Sequence, residues 1–208
     1  GLAVIDSVEP PFSFVYGGQP SSDLLKTWKL ERTTKKLDKN RNQHTLTYAD
    51  PKTGLVVRCV AVEYNDYPVV EWTVYFKNTG SADSPILENI LALDTRLRQD
   101  TSAQDNEFVL YHNVGTPCSP RDYEPLETAL TPSVSKTIGA AGGRPTNSDL
   151  SYFNLRSGNH GMIIVVGWPG QWSAKFARDE KNGLSVVAGQ ELTHFKLLSG
   201  EEVRTPLM

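Results

Sequence analysis

Polar side chains suited to binding a sugar are concentrated in two irregular segments of the chain. One is the proline-rich segment 115–125, and the other is the glycine-rich segment 139–150. Carboxylate, guanidinium and amide groups hydrogen-bond to sugar hydroxyls, and a tyrosine ring can stack on a sugar face. The candidate substrate-binding residues are His112, Cys118, Asp122, Tyr123, Arg144 and Asn147. The competing interpretation is a structural loop whose polar groups serve its own turns.

The other motifs give no catalytic or metal-binding arrangement. No two of the four histidines have the spacing of a zinc site. Gly142-Gly143 does not open a helix that could cradle a phosphate. His112 is distinguished by its position, because it ends a predicted strand and leads into the proline-rich segment. We therefore predict no catalytic residue, no metal and no cofactor in this chain.

The apolar run 162–166, bounded by Gly161 and Gly167, is expected to organise the fold around these segments. Its length and its β-branched content favour a strand covered on both faces over a helix. Pro169 and Gly170 then end the strand in a reversal, because proline cannot donate to a ladder and glycine tolerates positive φ. We predict that this run is a central strand of a sandwich.

Alternating side chains predict further strands on both sides of that run. Residues 44–49, 55–64 and 69–77 are predicted to form an antiparallel meander, since turns rich in Pro, Gly or Asp join them. Asn182-Gly183 predicts a hairpin between its flanking strands. Residues 86–97 fit either a helical stripe or a long, bulged strand, and the neighbouring strands favour the strand.

The fold class follows from about a dozen such strands with short turns and no convincing amphipathic helix. We predict an all-β fold, a large antiparallel β-sandwich. The sequence shows no internal repeat and no linker that would split it. Residues 1–208 are therefore predicted to form a single domain.

Charge and composition exclude two classes of protein. The net charge of −3 argues against a nucleic-acid binder, which needs a basic surplus to neutralise phosphates. No apolar run reaches the roughly 18 residues of a membrane span, and residues 1–5 lack the basic start of a signal peptide. Secretion and periplasmic export both stay open. Cys59 is predicted to be a core thiol, and Cys118 a free thiol in the loop.

Five sets of residues carry a family resemblance through their order along the chain. They are 11–14 with 17–18, 118–123, 143–147 with 152–155, 167–172, and 200–208. In this order they resemble the N-terminal β-supersandwich domain of α-galactosidase-like enzymes, glycoside hydrolase family 36 and its relatives. The resemblance covers essentially the whole chain and implies a galactose-mutarotase-like supersandwich.

The resemblance also implies a role for the chain. Relatives carry a (β/α)8 barrel after this domain, with an Asp nucleophile and an Asp acid/base, and this chain lacks that barrel. The chain is then a non-catalytic domain that supports the barrel of the same polypeptide and contributes to homo-oligomer contacts. By position, the loops 118–123 and 144–147 are expected to face the barrel, where they would line the substrate entrance and contact carbohydrate.

The chain offers no catalytic pair of its own. A retaining glycosidase needs two carboxyl groups about 5 Å apart across the glycosidic bond, and the sequence nominates none. Lys36-Leu37-Asp38 matches the Lys-any-Asp pattern around the family's nucleophile. It follows no apolar barrel strand, and we treat the match as chance.

Two other functions fit parts of the sequence. An aldose-epimerase-like enzyme of the mutarotase type needs a general acid and a general base, for which His112 or His194 with Glu191 are the candidates. A free-standing carbohydrate-binding module would use exposed tryptophans as stacking platforms. The tryptophans are Trp28, Trp72, Trp168 and Trp172.

Overall fold

The computed structural model describes residues 9–99 and 107–208, and nearly all of their regular structure is β-strand. The elements in chain order are β1 (Ser13–Tyr16), β2 (Gln19–Pro20), α1 (Ser21–Leu24), β3 (Lys29–Lys36), β4 (Arg41–Ala49), β5 (Leu55–Tyr64), β6 (Val69–Asn78), β7 (Leu87–Leu91), β8 (Leu93–Arg98), β9 (Phe108–Asn113), β10 (Pro125–Leu130), β11 (Ser135–Ala141), β12 (Arg144–Ser148), β13 (Tyr152–Ser157), β14 (His160–Val165), β15 (Trp172–Arg178), β16 (Gly183–Gln190), β17 (His194–Phe195) and β18 (Glu202–Arg204). Contacts divide these elements into two compact units.

The first unit comprises the described part of Gly1–Ala92 together with Leu192–Leu207. Its two antiparallel sheets have the strand orders β17-β7-β1-β2 and β18-β6-β5-β4-β3. In β5 every second side chain from Leu55 to Ala61 is buried, because successive strand residues point to opposite faces. Phe14 of β1 packs edge-on against Phe76 of β6, with ring centroids 5.1 Å apart. The unit is therefore a two-layer sandwich.

The second unit comprises the described part of Leu93–Glu191 and Met208. Its sheets have the strand orders β10-β9-β13-β14 and β12-β11-β15-β16-β8. Phe153 of β13 contacts Trp172 and Phe176 of β15, with ring centroids 5.7 and 5.4 Å apart. These rings close a second two-layer core, and this unit holds all six candidate site residues.

The predicted all-β class, with antiparallel sheets packed as sandwiches, is confirmed. The meander is β4, β5 and β6, paired in register along its length. The hairpin predicted around Asn182-Gly183 joins β15 to β16. The prediction that residues 1–208 form one supersandwich domain stays a prediction.

The prediction of a central strand at 162–166 is wrong. Strand β14 is at an edge of its sheet, paired only with β13 among the described strands, and Met162 and Ile163 are 43% and 74% exposed. The composition indicated that the run is a strand, but strand order depends on connectivity. A tight turn brings β14 back from β13, and the chain leaves at Pro169 before another strand can pair.

Two other segments differ in detail from their predictions. Residues 86–97 are strand rather than helix, but the chain forms two strands in different sheets, β7 and β8, instead of one long strand. The segment 139–150, predicted to be irregular, contains β12 and the end of β11. Gly142 and Gly143 join these strands, with φ of 61° and 74°. Two consecutive positive φ angles fit a type I′ hairpin turn, in which glycine is favoured.

Candidate functional site

The two segments that carry the candidate residues lie side by side in the second unit. Gly115 N–H donates to the Ser148 carbonyl at 2.8 Å, and Thr116 N–H donates to the Thr146 carbonyl at 2.6 Å. The hydroxyls of Thr116 and Thr146 are also hydrogen-bonded, at 2.9 Å. We call residues 115–124 together with 144–148 the loop surface. The sequence placed candidates in each segment separately, and the structure joins the segments through their backbones.

Gly115 makes this close approach possible. Its φ is not in the left-handed region, so its role is steric. A Cβ here would collide with the Thr146 carbonyl oxygen and lie 2.9 Å from the carbonyl carbon of the same residue. Because the obstacle is backbone rather than a flexible side chain, only glycine allows the two segments to meet without displacement.

A turn closed by Asp122 shapes the proline-rich part of the loop surface. One carboxylate oxygen of Asp122 accepts the Ser119 N–H at 2.9 Å and the Ser119 hydroxyl at 3.3 Å. Cys118 and Tyr123 flank the turn with φ of 66° and 64°, which is uncommon for residues with a side chain. The Tyr123 ring is 62% exposed, and the Cys118 thiol is also exposed. The turn thus presents a tyrosine ring and a thiol to solvent, whereas Asp122 serves the backbone.

On strand β12, likewise, Asn147 binds the backbone and Arg144 is exposed to solvent. The Asn147 amide donates to the Ala141 carbonyl at 3.1 Å and so closes the β11–β12 hairpin. Arg144 opens the strand with an exposed side chain. Of the six predicted residues, Tyr123, Cys118 and Arg144 are therefore the solvent-facing ones on the loop surface.

Two residues outside the six candidates support the β11–β12 hairpin. The indole N–H of Trp172 donates to the Pro145 carbonyl at 2.7 Å, and the Gln171 side-chain oxygen accepts the Gly143 N–H at 2.8 Å. Gln171 also contacts the Glu191 carboxylate. The sequence did predict the reversal at Pro169-Gly170. Because this reversal comes just before β15, it places Gln171 and Trp172 where they can hold the β11–β12 hairpin.

His112 is placed apart from the solvent-facing residues. It is 3% exposed on β9, where Nε2 is hydrogen-bonded with the Thr128 hydroxyl at 3.1 Å. Nδ1 is buried and has no hydrogen-bond partner within the described residues. Burial lowers the pKa of His112, Lys136 lowers it further, and Asp149 opposes them. Because its pKa lies below the ordinary value of about 6.5, the imidazole of His112 is mainly neutral in the folded chain at pH 7.

This burial makes stability depend on pH below neutrality. The pKa of His112 is lower in the folded chain than the ordinary value of about 6.5, so the unfolded chain binds the proton first as pH falls. The stability contributed by neutral His112 is full above about pH 6.5 and is lost as pH falls through the folded pKa. We expect urea unfolding from pH 8 to pH 5 to show this loss in the wild type and less of it in His112→Gln. Equal pH slopes in the two proteins would contradict the assignment.

The remaining candidate groups have local structural partners. Asp38 of the Lys36-Leu37-Asp38 match pairs with Arg41 and accepts the Asn40 N–H at 2.9 Å, and these contacts lower the pKa of its carboxyl group. Cys59 is buried, which raises the pKa of its thiol to about 12. The prediction that Cys59 belongs to the core is confirmed.

The described residues form neither a metal-binding cluster nor a helix long enough to cross a membrane. Across 9–99 and 107–208, no three His, Cys, Asp or Glu side chains are grouped so that they could hold a metal ion. The helix found in this part of the chain is too short to be a membrane span.

Comparisons with known proteins match the fold and not the sequence. No protein-family model and no curated protein sequence matches the chain. Among solved structures, the galactosidase domain of the α-galactosidase–sucrose kinase AgaSK is similar with a TM-score of 0.69 and 18% identity over 97% of this chain. The GH36 α-galactosidase AgaA from Geobacillus stearothermophilus gives 0.67 and 13%, and the α-galactosidase from Lactobacillus brevis gives 0.68 and 13%.

These matches are complete for this chain and partial for the others. The chain is covered over 97% of its length in each case, but it spans only 28–30% of the matched chains. The chain therefore shares the fold of a part, a little under a third, of these α-galactosidase chains.

Proposed function

We propose that this chain is a non-catalytic accessory domain of an α-galactosidase-like glycoside hydrolase. The observation that carries the proposal is the fold match, which includes 97% of this chain but only 28–30% of GH36 α-galactosidase chains. A domain that accounts for less than a third of such an enzyme leaves the larger part for a catalytic barrel. In this proposal the barrel belongs to the same polypeptide and is the partner of this domain.

The carboxylates near the loop surface support a non-catalytic role. Retaining hydrolysis needs a nucleophile and an acid/base about 5 Å apart, both free to act on the substrate. Asp122 is held by Ser119, Glu124 pairs with Arg121, and Asp149 bonds to Ser148 and to the Gly139 N–H. Each carboxylate is thus committed to its own turn or hairpin.

The loop surface is the part of the domain that we propose faces the barrel near the substrate entrance. Backbone hydrogen bonds and the Trp172 contact fix its position, which suits a surface that must hold a constant geometry against a neighbour. Tyr123 and Arg144 are exposed on it and supply an aromatic ring and a cation. These groups suit contact with carbohydrate at the edge of a site whose chemistry lies elsewhere.

The geometry favours this function over the two alternatives. The mutarotase alternative needs His112 or His194 together with Glu191, but His112 is enclosed, and His194 is hydrogen-bonded to Glu88 at 2.9 Å, whereas Glu191 contacts Gln171. The carbohydrate-binding module was expected to use tryptophans as its stacking platforms, but three of the four tryptophans are buried. These are Trp28, Trp72 and Trp172.

An activity assay of the pure chain tests the proposal. We expect p-nitrophenyl α-galactoside to release nitrophenol at the rate seen in buffer, with heat-denatured chain as the matched control. Galactose anomerisation followed by polarimetry is likewise expected to run at the buffer rate. Hydrolysis that is lost on denaturation would overturn the non-catalytic assignment, and accelerated anomerisation would favour the mutarotase alternative.

A further inference from the structure

Asn182-Gly183 lies in the turn between β15 and β16, and it is the one Asn-Gly pair in the sequence. Asn182 is exposed, whereas Gly183 is buried. Asparagine is a chemically labile residue, and a following glycine makes it more so, because glycine has no Cβ to shield its backbone nitrogen. The pair that predicts the hairpin therefore also carries a reactive side chain.

The reaction open to this pair is deamidation, which consumes only water. After the Gly183 amide loses its proton to solvent, its nitrogen bonds to Cγ of Asn182. The bond between Cγ and Nδ2 breaks, and Nδ2 takes a proton from solvent and leaves as ammonia. Water then opens the resulting cyclic imide at either carbonyl, which gives aspartate or isoaspartate at position 182.

Only glycine fits at position 183 without displacing its neighbours. A Cβ there would lie 2.5 Å from a carboxylate oxygen of Asp179 and 2.6 Å from a guanidinium nitrogen of Arg96. These two side chains form an ion pair, so a larger residue would have to disturb the pair. The glycine that makes Asn182 reactive is thus required by the packing of the turn.

The Asp179 carboxylate holds the nitrogen that would attack. Its Oδ1 accepts the Gly183 N–H at 2.9 Å and the Lys181 N–H at 2.8 Å. The bond from Gly183, together with that from Lys181, lowers the pKa of the Asp179 carboxyl group, which is therefore charged at neutral pH. Hydrogen bonds to a carboxylate are stronger than those between neutral groups, so this bond opposes loss of the Gly183 amide proton.

We propose that Asn182 is a deamidation site and that Asp179 keeps the reaction slow while the turn is closed. Both carboxylate oxygens of Asp179 are held, because Arg178 donates to Oδ1 at 3.1 Å and Arg96 contacts Oδ2. The Asp179 N–H also donates to the Gly183 carbonyl at 2.9 Å, which ties the two ends of the turn together. Deamidation is then confined to the moments when the turn opens locally.

Isoaspartate at position 182 would disturb the middle of a sheet. Strand β16 pairs with β15 on one side and with β8 on the other, and the Asn182 carbonyl accepts the Gln99 N–H at 2.8 Å. Isoaspartate adds a methylene to the backbone, and the length of a turn sets the register of its hairpin. The modification is therefore expected to destabilise the second unit.

Peptide mapping by mass spectrometry of the whole chain, incubated at neutral pH, tests the proposal. Asp179→Ala removes the acceptor and is expected to raise the rate of deamidation at Asn182 at least about tenfold over the folded wild type. Glu180→Ala is the matched control in the same turn and is expected to keep the wild-type rate, because Asp179 and not Glu180 accepts the Gly183 N–H. Asp179→Asn, which keeps an oxygen acceptor without the charge, is expected to react at an intermediate rate.

The wild type in urea provides a reference that does not depend on how any variant folds. Its Asn182 is expected to deamidate at least about tenfold faster than in the folded wild type, because the turn is open. Circular dichroism shows whether each variant is folded, and Asp179→Asn replaces Asp179→Ala if the latter is not.

Three results would overturn the proposal. Absence of deamidation at Asn182 in urea would show that the site is not reactive, and equal rates in urea and in the folded wild type would show that the fold gives no protection. Equal rates in the folded wild type and the folded Asp179 variants would show that Asp179 is not the protecting group. Each result leaves the accessory function untouched, because that function is tested by enzymatic activity.

Discussion

Replacing Trp172 with alanine is expected to lower the free energy of unfolding by about 4 kcal/mol. Trp172 is completely buried, its ring packs against Phe153, and its indole N–H holds the Pro145 carbonyl of β12. The substitution removes the largest side chain of the second core and the support of the loop surface together. Chemical unfolding followed by circular dichroism measures the loss.

Two further variants separate packing from hydrogen bonding at this position. Trp172→Phe keeps most of the ring but leaves the Pro145 carbonyl without its donor, so a loss of about 2 kcal/mol is expected. Tyr67→Ala truncates an exposed aromatic ring and is expected to change stability by less than about 0.5 kcal/mol. If the Trp172→Ala protein were as stable as Tyr67→Ala, Trp172 of β15 would not be an important part of the core of the second unit.

Gly115→Ala is the second change with a large expected effect. The new methyl group would meet the backbone of Thr146, which cannot move without breaking the ladder between the two segments of the loop surface. We expect a loss of about 3 kcal/mol, at the upper end for overpacking. Amide hydrogen exchange should also become faster at Thr116, whose N–H bonds to Thr146.

The matched control for that variant is Gly161→Ala. Gly161 lies on a strand with ordinary φ, and the nearest atom to an added Cβ is 3.7 Å away. Its unfolding free energy is expected to stay within about 0.5 kcal/mol of the wild type. Equal stability and equal exchange in both glycine variants would contradict the close approach at Gly115.

Local patterns were sufficient for the meander of the first unit. Its turns are stabilised by residues within the turn itself. In the turn between β4 and β5, for example, the Asp50 carboxylate accepts the Lys52 and Thr53 N–H groups. Alternation along β5 then fixes which face is buried. Strand, turn and face are all encoded within a few residues here, so no distant partner had to be known.

Such local patterns did not predict the order of the strands within each sheet. The run 162–166 has the composition of a buried strand, but its neighbours are decided by where the chain goes before and after it. Met162 and Ile163 are apolar although this edge leaves them exposed, so an apolar composition did not distinguish an edge strand from a central one.

The candidate site was predicted as residues but not as a surface. Arg144 and Tyr123 were selected by type, while the ladder that joins their segments pairs residues 30 positions apart, Thr116 with Thr146. Gly142-Gly143 carried an unused signal, since two glycines between alternating residues favour a type I′ hairpin. His112 was selected for its position at the end of a strand, yet the alternation of β9 turns it inward.

Reading the gene beyond the codon for Met208 tests the accessory-domain account most directly. The account predicts that the reading frame continues into a (β/α)8 barrel that carries two catalytic aspartates, one as nucleophile and one as acid/base. A stop codon immediately after Met208, or continuation into a domain without a barrel, would contradict it.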